Sequence, residues 1–554
     1  MTAGWAILRQ SCQLSQISNC WLWWPSTRTA VFEPKKAIKE APISLEIELK
    51  LAAERGDLGA VTRALEARFP GSAVIGQRLV STYFDTPDCA LQQSGAVLRV
   101  REQDGRFVQT VKTEGPAESS VLARGEWEDR VAENRPDLRA PESGSRIPAE
   151  IAGELRPVFV SEVDRAAIEI APKPGLRIEA AIDQGMLCSA DKTRSEAISE
   201  IELELKEGDR ASVYDLALQL LEAAPLRIDL RSKAERGYRL IEKDGEAPAA
   251  VSAEPIVLAP EMTVEEALQR VGGACLTHLL RSEPAALAGK IEGIHQMRVA
   301  MRRLRSILSA VRDLMPEAEH RWASDEVKRL INALGPARNL DVFATELLPS
   351  ARAEAPDQPG WDALAAATER VRAEAHRRVT DQIRSPEHTA SLLRLLRWFE
   401  SRGWRYAQSN EPGEGMTATI GEVAPAVLDR RRKKLRKRSR HFRRLSAHDR
   451  HRLRIAAKKL RYSIELLESL YDEREVRPFV KRLKRVQDEL GYANDVRVAY
   501  GLVIELGRST ADSEPLADAG AQLLAWHQRA LVAHEERLHR HLRQLNQAQP
   551  FWRA

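Results

Sequence analysis

The segment His295-Gln-Met-Arg-Val-Ala-Met-Arg-Arg-Leu-Arg305 returns later in the chain as His451-Arg-Leu-Arg-Ile-Ala-Ala-Lys-Lys-Leu-Arg461. Each copy is followed, at the same distance, by a Leu-Gly pair, Leu334-Gly335 and Leu490-Gly491, so both landmarks are offset by 156 positions. A repeat of that length requires this part of the chain to form two copies of one unit, most simply packed about a pseudo-twofold axis. From Pro260 onward the apolar residues follow the helical period, broken by Pro- and Gly-containing stretches at 355–360 and 410–415. The expectation for 262–545 is an all-α duplicated helical bundle.

Upstream the period changes. Leu45-Glu46-Ile47-Glu48-Leu49-Lys50, Val97-Leu98-Arg99-Val100-Arg101 and Ile201-Glu202-Leu203-Glu204-Leu205-Lys206 alternate apolar and charged residues, the mark of strands with two different faces. Helical patterns at 59–68 and 213–223 make residues 43–243 an α+β domain rich in antiparallel strands. Residues 244–261, rich in Ala, Pro, Ser and Glu, read as a linker. Residues 1–42 lack the basic and apolar regions of a signal peptide, and no methionine follows Met1 until Met186. That extension is expected to be disordered or to reflect a start placed too early.

Charge separates the two parts. Residues 41–250 hold 38 Asp/Glu against 28 Lys/Arg, whereas 251–554 hold 52 Lys/Arg against 40 Asp/Glu, or about −10 and +12. A basic C-terminal part implies a polyanionic partner: nucleic acid, anionic lipid or polyphosphate. No apolar run reaches the ~20 residues that cross a bilayer. The five cysteines contain no CxxC pair, which argues against a disulfide framework or a zinc site.

In a strand, residues i, i+2 and i+4 share a face, so Glu46, Glu48 and Lys50 project together. One solvated strand face would show the same pattern. Repetition favours a charged barrel interior: Arg99 with Arg101, Glu126 with Glu128, and Glu200, Glu202, Glu204 with Lys206 each share a face. Such an interior suits a triphosphate, with Lys and Arg on phosphate oxygens and carboxylates holding Mg²⁺ or Mn²⁺.

Glu46-Ile47-Glu48-Leu49-Lys50 resembles the ExExK signature of the CYTH, or triphosphate tunnel metalloenzyme, family. Thr82-Tyr83-Phe84-Asp85-Thr86, Leu98–Arg101, Thr110-Val111-Lys112, Arg124–Glu128, Glu200–Leu205 and Ser232–Tyr238 follow in the family's order. The resemblance implies an eight-stranded antiparallel β-tunnel over residues 43–243. It implies Glu46, Glu48, Glu202 and Glu204 as metal ligands, and Lys50, Arg99, Arg101, Lys112, Arg165 and Lys233 as phosphate contacts, with Glu46, Glu48 and Lys50 catalytic. Glu200 is a further metal candidate, and Asp183 is either a support for the site or an acidic turn residue.

At ~100° per residue, His295, Arg298, Arg302 and Arg305 fall within about 80° of one another on a helix. Met297, Ala300, Met301, Leu304, Ile307 and Leu308 take the other side. The second copy repeats the stripe as His451, Arg454, Lys458 and Arg461. These motifs, with Arg338-Asn339-Leu340-Asp341 and Asn494-Asp495, resemble the CHAD family, which implies a pair of helical bundles whose basic groove binds polyphosphate. Residues 430–444 hold eleven Lys/Arg and no Asp/Glu, an extension of that groove, a solvated face or a non-specific nucleic-acid contact.

The sequence thus points to a metal-dependent inorganic triphosphatase, using Mg²⁺ or Mn²⁺, tethered to polyphosphate. Hydrolysis of thiamine triphosphate or RNA 5′ ends, adenylate cyclisation, and a non-catalytic polyphosphate scaffold are the alternatives. No specific nucleic acid and no membrane partner is expected. The expected location is the cytoplasm, with association with polyphosphate granules a further expectation.

Overall fold

The computed structural model describes residues 45–113, 123–242, 248–405, 411–413, 415–508 and 514–553. The expectation for residues 1–42 lies outside the described residues, as does part of the 244–261 linker.

The strand half runs β1 (Leu45–Ala53), α1 (Leu58–Arg68), β2 (Val74–Asp85), α2 (Ala90–Gln93), β3 (Ala96–Gln103), β4 (Arg106–Thr113), β5 (Ala123–Val131), β6 (Arg156–Lys173), β7 (Leu176–Ser189), β8 (Ser195–Glu207), α3 (Ala211–Leu220), β9 (Leu226–Ile228) and α4 (Lys233–Ile241). The strands form one sheet in the order β5-β4-β3-β2-β6-β7-β8-β1-β9, antiparallel throughout. At its start β1 also pairs with β5, Leu45–Ile47 against Gly125–Ala123, so the edges of the eight-stranded row meet over three residues. Short β9 joins the other end of β1, an addition to the eight strands expected. Alternation turns Leu49, Leu51, Ile201 and Leu203 into a core packed under α1 and α3, and sends the charged residues to the opposite face. Gly185 of β7 lies so close to β6 that a Cβ would overlap the Glu162 carbonyl, leaving no room for a side chain.

The helical half comprises α5 (Val264–Leu287), α6 (Ile291–Ala310), α7 (Glu317–Ala333), α8 (Gly335–Val342), α9 (Leu348–Glu354), α10 (Trp361–Arg384), α11 (Pro386–Glu400), α12 (Ile420–Ser439), α13 (Ala447–Leu467), α14 (Glu473–Arg508) and α15 (Glu514–Gln547). The sequence offset reappears in the helix starts: 264 and 420, 291 and 447, 317 and 473. Equivalent residues Thr263 and Thr419 face each other in an antiparallel bridge. Around it Val264 N–H donates to the Ala418 carbonyl at 2.9 Å and Ile420 N–H to the Met262 carbonyl at 2.7 Å. Since Ile420 is the counterpart of Val264 and Ala418 of Met262, the two copies are exchanged by a local two-fold at this point.

The halves share an apolar core in which Leu220 and Leu226 belong to the same cluster as Leu396 and Phe399. Arg210 and Glu400, 3.7 Å apart, and the pair Arg397–Asp215 flank this contact between α3 and α11.

Candidate functional site

The inward faces of the strands enclose a cavity of about 1500 Å³ that extends to the linker and α5. Glu48, Lys50, Arg99, Arg101, Lys112, Arg165, Glu202, Glu204 and Lys233 all line it. The structure therefore brings nine of the tunnel residues singled out from sequence to one cavity; Glu200 and Asp183 lie behind its lining, and Glu46 has its backbone opposite Arg124 and a side chain that is not described.

Pairing of β1 with β8 sets Lys50 opposite Glu202 and Glu48 opposite Glu204. Lys50 Nζ pairs with Glu202, with Glu48 Oε1 at 3.0 Å and with Glu200 Oε1 at 3.5 Å. Burial lowers the pKa of this ammonium, but Glu202, Glu48 and Glu200 outweigh that effect and hold it well above its usual value. Lys233, the first residue of α4, reaches Glu200 at 2.5 Å, Asp183 at 2.6 Å and Glu202 at 2.9 Å. Arg165 on β6 grips Asp183 through two bonds of 2.7 Å and also pairs with Glu202. Burial raises the Glu202 pKa, but Lys233, Lys50 and Arg165 overcome it and keep the carboxylate well below its ordinary range.

Lys233 is placed by a chain of local causes. A reciprocal capping box between Ser232 and Glu235 starts α4. The helix then packs on Phe159, which stacks on Tyr83 and meets Tyr238 edge to face. The Tyr238 hydroxyl donates to Asp85 at 2.8 Å, and Asp85 in turn accepts from the backbone N–H groups of Leu91 and Gln92 in α2.

Across the cavity Arg99 lies 3.3 Å and Lys112 2.9 Å from Glu126. Glu204 pairs with Lys206 at 2.6 Å. Arg101 differs: it donates to the Ser81 hydroxyl at 3.2 Å and, among the described residues, makes no ion pair. Burial, followed by repulsion from Arg99 and Arg165, brings its pKa down to about 10.

Asp183, Glu200 and Glu202 offer three carboxylate oxygens within 4.8 Å of one another. An all-oxygen carboxylate donor set fits a hard divalent cation. This grouping shares only Glu202 with the four glutamates expected from sequence. Asp183 is fully buried and points inward from β7, which decides between its two expected roles against the turn. Arg236, which anchors Glu200 at 2.9 Å, was not singled out from sequence. The spacing Lys233-Ala-Glu-Arg236 places it one helical turn after Lys233, and that was the available signal.

In the helical half α6 and α13 pack together, and Arg302 donates to the Tyr462 hydroxyl at 3.2 Å. Arg298, Arg302, Arg305, Arg454 and Lys458 make no ion pair among the described residues. The Nε atoms of equivalent Arg298 and Arg454 are both buried without an acceptor, and so is His295 Nδ1. Arg461 is instead paired with Glu465 at 2.5 Å, and His451 is exposed. Burial and then Arg454 and Arg302 push the Lys458 pKa down to about 6, although Asp495 opposes the shift. His295 falls to about 4 through burial and the charges of Arg338, Arg302 and Arg298. Arg338 and Arg497 thus join the field of the stripe from neighbouring helices.

Residues 44–238 match the family model of the CYTH domain and residues 270–503 that of the CHAD domain. The chain is 30% identical over 202 residues to the inorganic triphosphatase of Haemophilus influenzae, an alignment that covers 36% of this chain and 55% of that protein. The chain thus spans little more than half of that relative's length. An uncharacterized protein of Mycobacterium tuberculosis is 27% identical over 428 residues, 70% of this chain and 75% of that one. The crystal structure of the CHAD domain from the plant Ricinus communis aligns with a TM-score of 0.47 at 28% identity, over 55% of this chain and 98% of that chain.

Proposed function

From a chain that carries a CYTH domain followed by a CHAD domain, we propose hydrolysis of inorganic triphosphate in the strand half, with the helical half holding inorganic polyphosphate. The observation that carries this reading is the convergence of Lys50, Arg99, Arg101, Lys112, Arg165 and Lys233 with Glu48, Glu202 and Glu204 on one cavity.

The basic residues bind and orient the phosphates, and Arg101, with no ion pair among the described residues, has the charge least committed to the protein. Asp183, Glu200, Glu202 and Glu48, with Glu46 and Glu204 as further candidates, would hold Mg²⁺ or Mn²⁺. When bound, such an ion neutralises phosphate charge and lowers the pKa of a water. In hydrolysis the water oxygen bonds to a terminal phosphorus while the P–O bond to the bridging oxygen breaks, so phosphate and pyrophosphate leave. Lys50 and Lys233, held as ammonium ions by their glutamates, keep positive charge beside that centre.

In the helical half the stripe cations without an ion pair among the described residues lie near enough to repel one another across the two copies, and they supply a field for a long polyanion. A tethered chain raises the local concentration of phosphate near the tunnel. The test is phosphate release by the purified protein from triphosphate, ATP, thiamine triphosphate and long polyphosphate, with and without Mg²⁺ or Mn²⁺. Metal-dependent turnover highest on triphosphate supports the proposal, and inactivity on all four substrates favours the scaffold.

A further inference from the structure

The second copy of the helical unit contains a cleft of about 190 Å³ between α12 and α13. This is well above the ~10–15 Å³ that a single water needs. Its walls are Arg431, Lys434 and Arg438 from α12 and Arg452 and Lys459 from α13, with Ile455 and Ala456 as its apolar lining. No carboxylate lines it. Arg452 lies 3.7 Å from Asp449. Among the described residues Arg431, Lys434, Arg438 and Lys459 have no ion-pair partner. On α13 this face borders the stripe but is turned from it: Lys458 turns toward Arg302 and Arg298, whereas its neighbour Lys459 feels Arg431 and Lys434 more strongly than Arg305 of the stripe.

The first copy shows what the equivalent cleft does. Subtracting 156 converts Lys434 into His278 and Lys459 into Arg303. There the linker fills the place: His278 Nε2 donates to the Val251 carbonyl at 3.0 Å, and Arg303 donates to the Glu254 carbonyl at 3.3 Å. Farther along, the linker buries Ile256 and Leu258. One cleft of the duplicated design thus seats a segment of the chain through donors at these two positions. In the other, both donors are cations and the apolar anchors have no counterpart in the lining.

We propose that the α12–α13 cleft is a second phosphate-binding site, separate from the tunnel and from the paired stripes, which takes a short run of a linear phosphate chain. The ligand class rests on the polyphosphate reading above. Like charges from two helices meet across the cleft, and a dense anion between them relieves their repulsion. Guanidinium groups suit phosphate oxygens, and the absence of an aromatic ring from the lining removes the stacking on which single-stranded nucleic acid relies.

The test is lysine acetylation of the full-length protein, read by mass spectrometry, with pyrophosphate, long polyphosphate, poly-glutamate or duplex DNA at matched charge. Lys434 and Lys459 report the cleft, and Lys458 reports the stripe. Pyrophosphate and polyphosphate should slow acetylation of Lys434 and Lys459 several-fold, and Arg431→Glu with Arg438→Glu should remove the protection of Lys459 but not that of Lys458. Protection of Lys458 alone by polyphosphate overturns the cleft and leaves the groove standing. Protection of Lys434 and Lys459 alone supports the cleft and counts against the groove. Equal protection by poly-glutamate or DNA overturns a phosphate site in favour of an acidic-peptide or general polyanion surface. The wild-type measurement decides even where the double variant fails to fold.

Discussion

Arg302 of the first stripe donates its hydrogen bond to the hydroxyl of Tyr462 on α13, the helix that carries the second stripe, so a cation of one copy is positioned by the other. A long polyanion lying there touches both copies. Arg298→Glu with Arg302→Glu should therefore lower polyphosphate affinity at least about 100-fold at low salt, the scale expected when close charge pairs are lost. Wild-type binding should weaken steeply as salt is raised. Titration at two salt concentrations checks this, with duplex DNA of equal charge as the comparison. Unchanged affinity in the variant removes the stripe from the site.

Glu48→Gln and Glu202→Gln each take a carboxylate oxygen donor from the tunnel. Triphosphate turnover should fall by at least about 100-fold, the upper range for losing outer-shell partners of a metal. Polyphosphate binding by the helical half should persist. Loss of that binding in a folded variant means that the two functions are not separable.

Arg101→Ala should separate function from stability. Among the described residues the guanidinium makes no ion pair, and it sits beside Arg99 and Arg165, so its removal relieves repulsion within the cavity. Turnover should drop about 100-fold, as for loss of a charge-stabilising donor, while Tm stays level or rises. A lowered Tm with normal turnover assigns Arg101 a structural role instead.

Lys458 predicts a pH effect. Its pKa of about 6 lies below the model-peptide value of 10.5, so from about pH 6 to 10 the unfolded chain binds more protons at this residue than the folded one. Its contribution to stability consequently rises with pH across that window and is lost as pH falls toward 6. A polyanion favours the ammonium form, so binding near pH 8 should take up protons, and affinity should increase toward pH 6. Calorimetry in buffers of different ionisation enthalpy measures the uptake. Lys458→Arg should reduce it, and an unchanged uptake assigns the proton to another group, such as His295 or His451.

Gly237 in α4 lies against the Phe159 ring, where a Cβ has no room. Gly237→Ala should cost about 1–3 kcal/mol of stability through overpacking. It should also reduce turnover, since the same helix starts with Lys233. Thermal unfolding and phosphate release check both effects, and wild-type values for both would show that α4 adjusts freely.

Glu48, Lys50, Arg99, Arg101, Glu202 and Glu204 of the tunnel lining could be read from period-two alternation, because a strand forces such residues to one face, whereas Lys112, Arg165 and Lys233 came from the family resemblance alone. Which carboxylates meet could not be read so directly. Asp183, Glu200 and Glu202 gather because β7 and β8 pair Asp183 with Glu200 in one register, and register between strands is set by the whole sheet. The stripes were visible as a helical spacing. Their neighbours Tyr462 and Arg497 were not singled out, and Arg338 entered only as part of a motif and not as a stripe contact, since helix packing and not local spacing brings them near. The offset of 156 foretold the matched helix starts, but not that His278 and Arg303 would hold the linker while Lys434 and Lys459 line an open cleft.

The reciprocal bridge of Thr263 with Thr419 bears on what kind of polymer suits this surface. A nucleic-acid strand has a 5′ and a 3′ end, so a site exchanged by a two-fold can match its direction on only one wall. Linear polyphosphate has no head or tail. Reversing it exchanges the contacts of one copy for those of the other, and either end can enter first with nearly the same result. The departure within the stripes, Arg302 against Lys458, is where the two ways of threading become unequal.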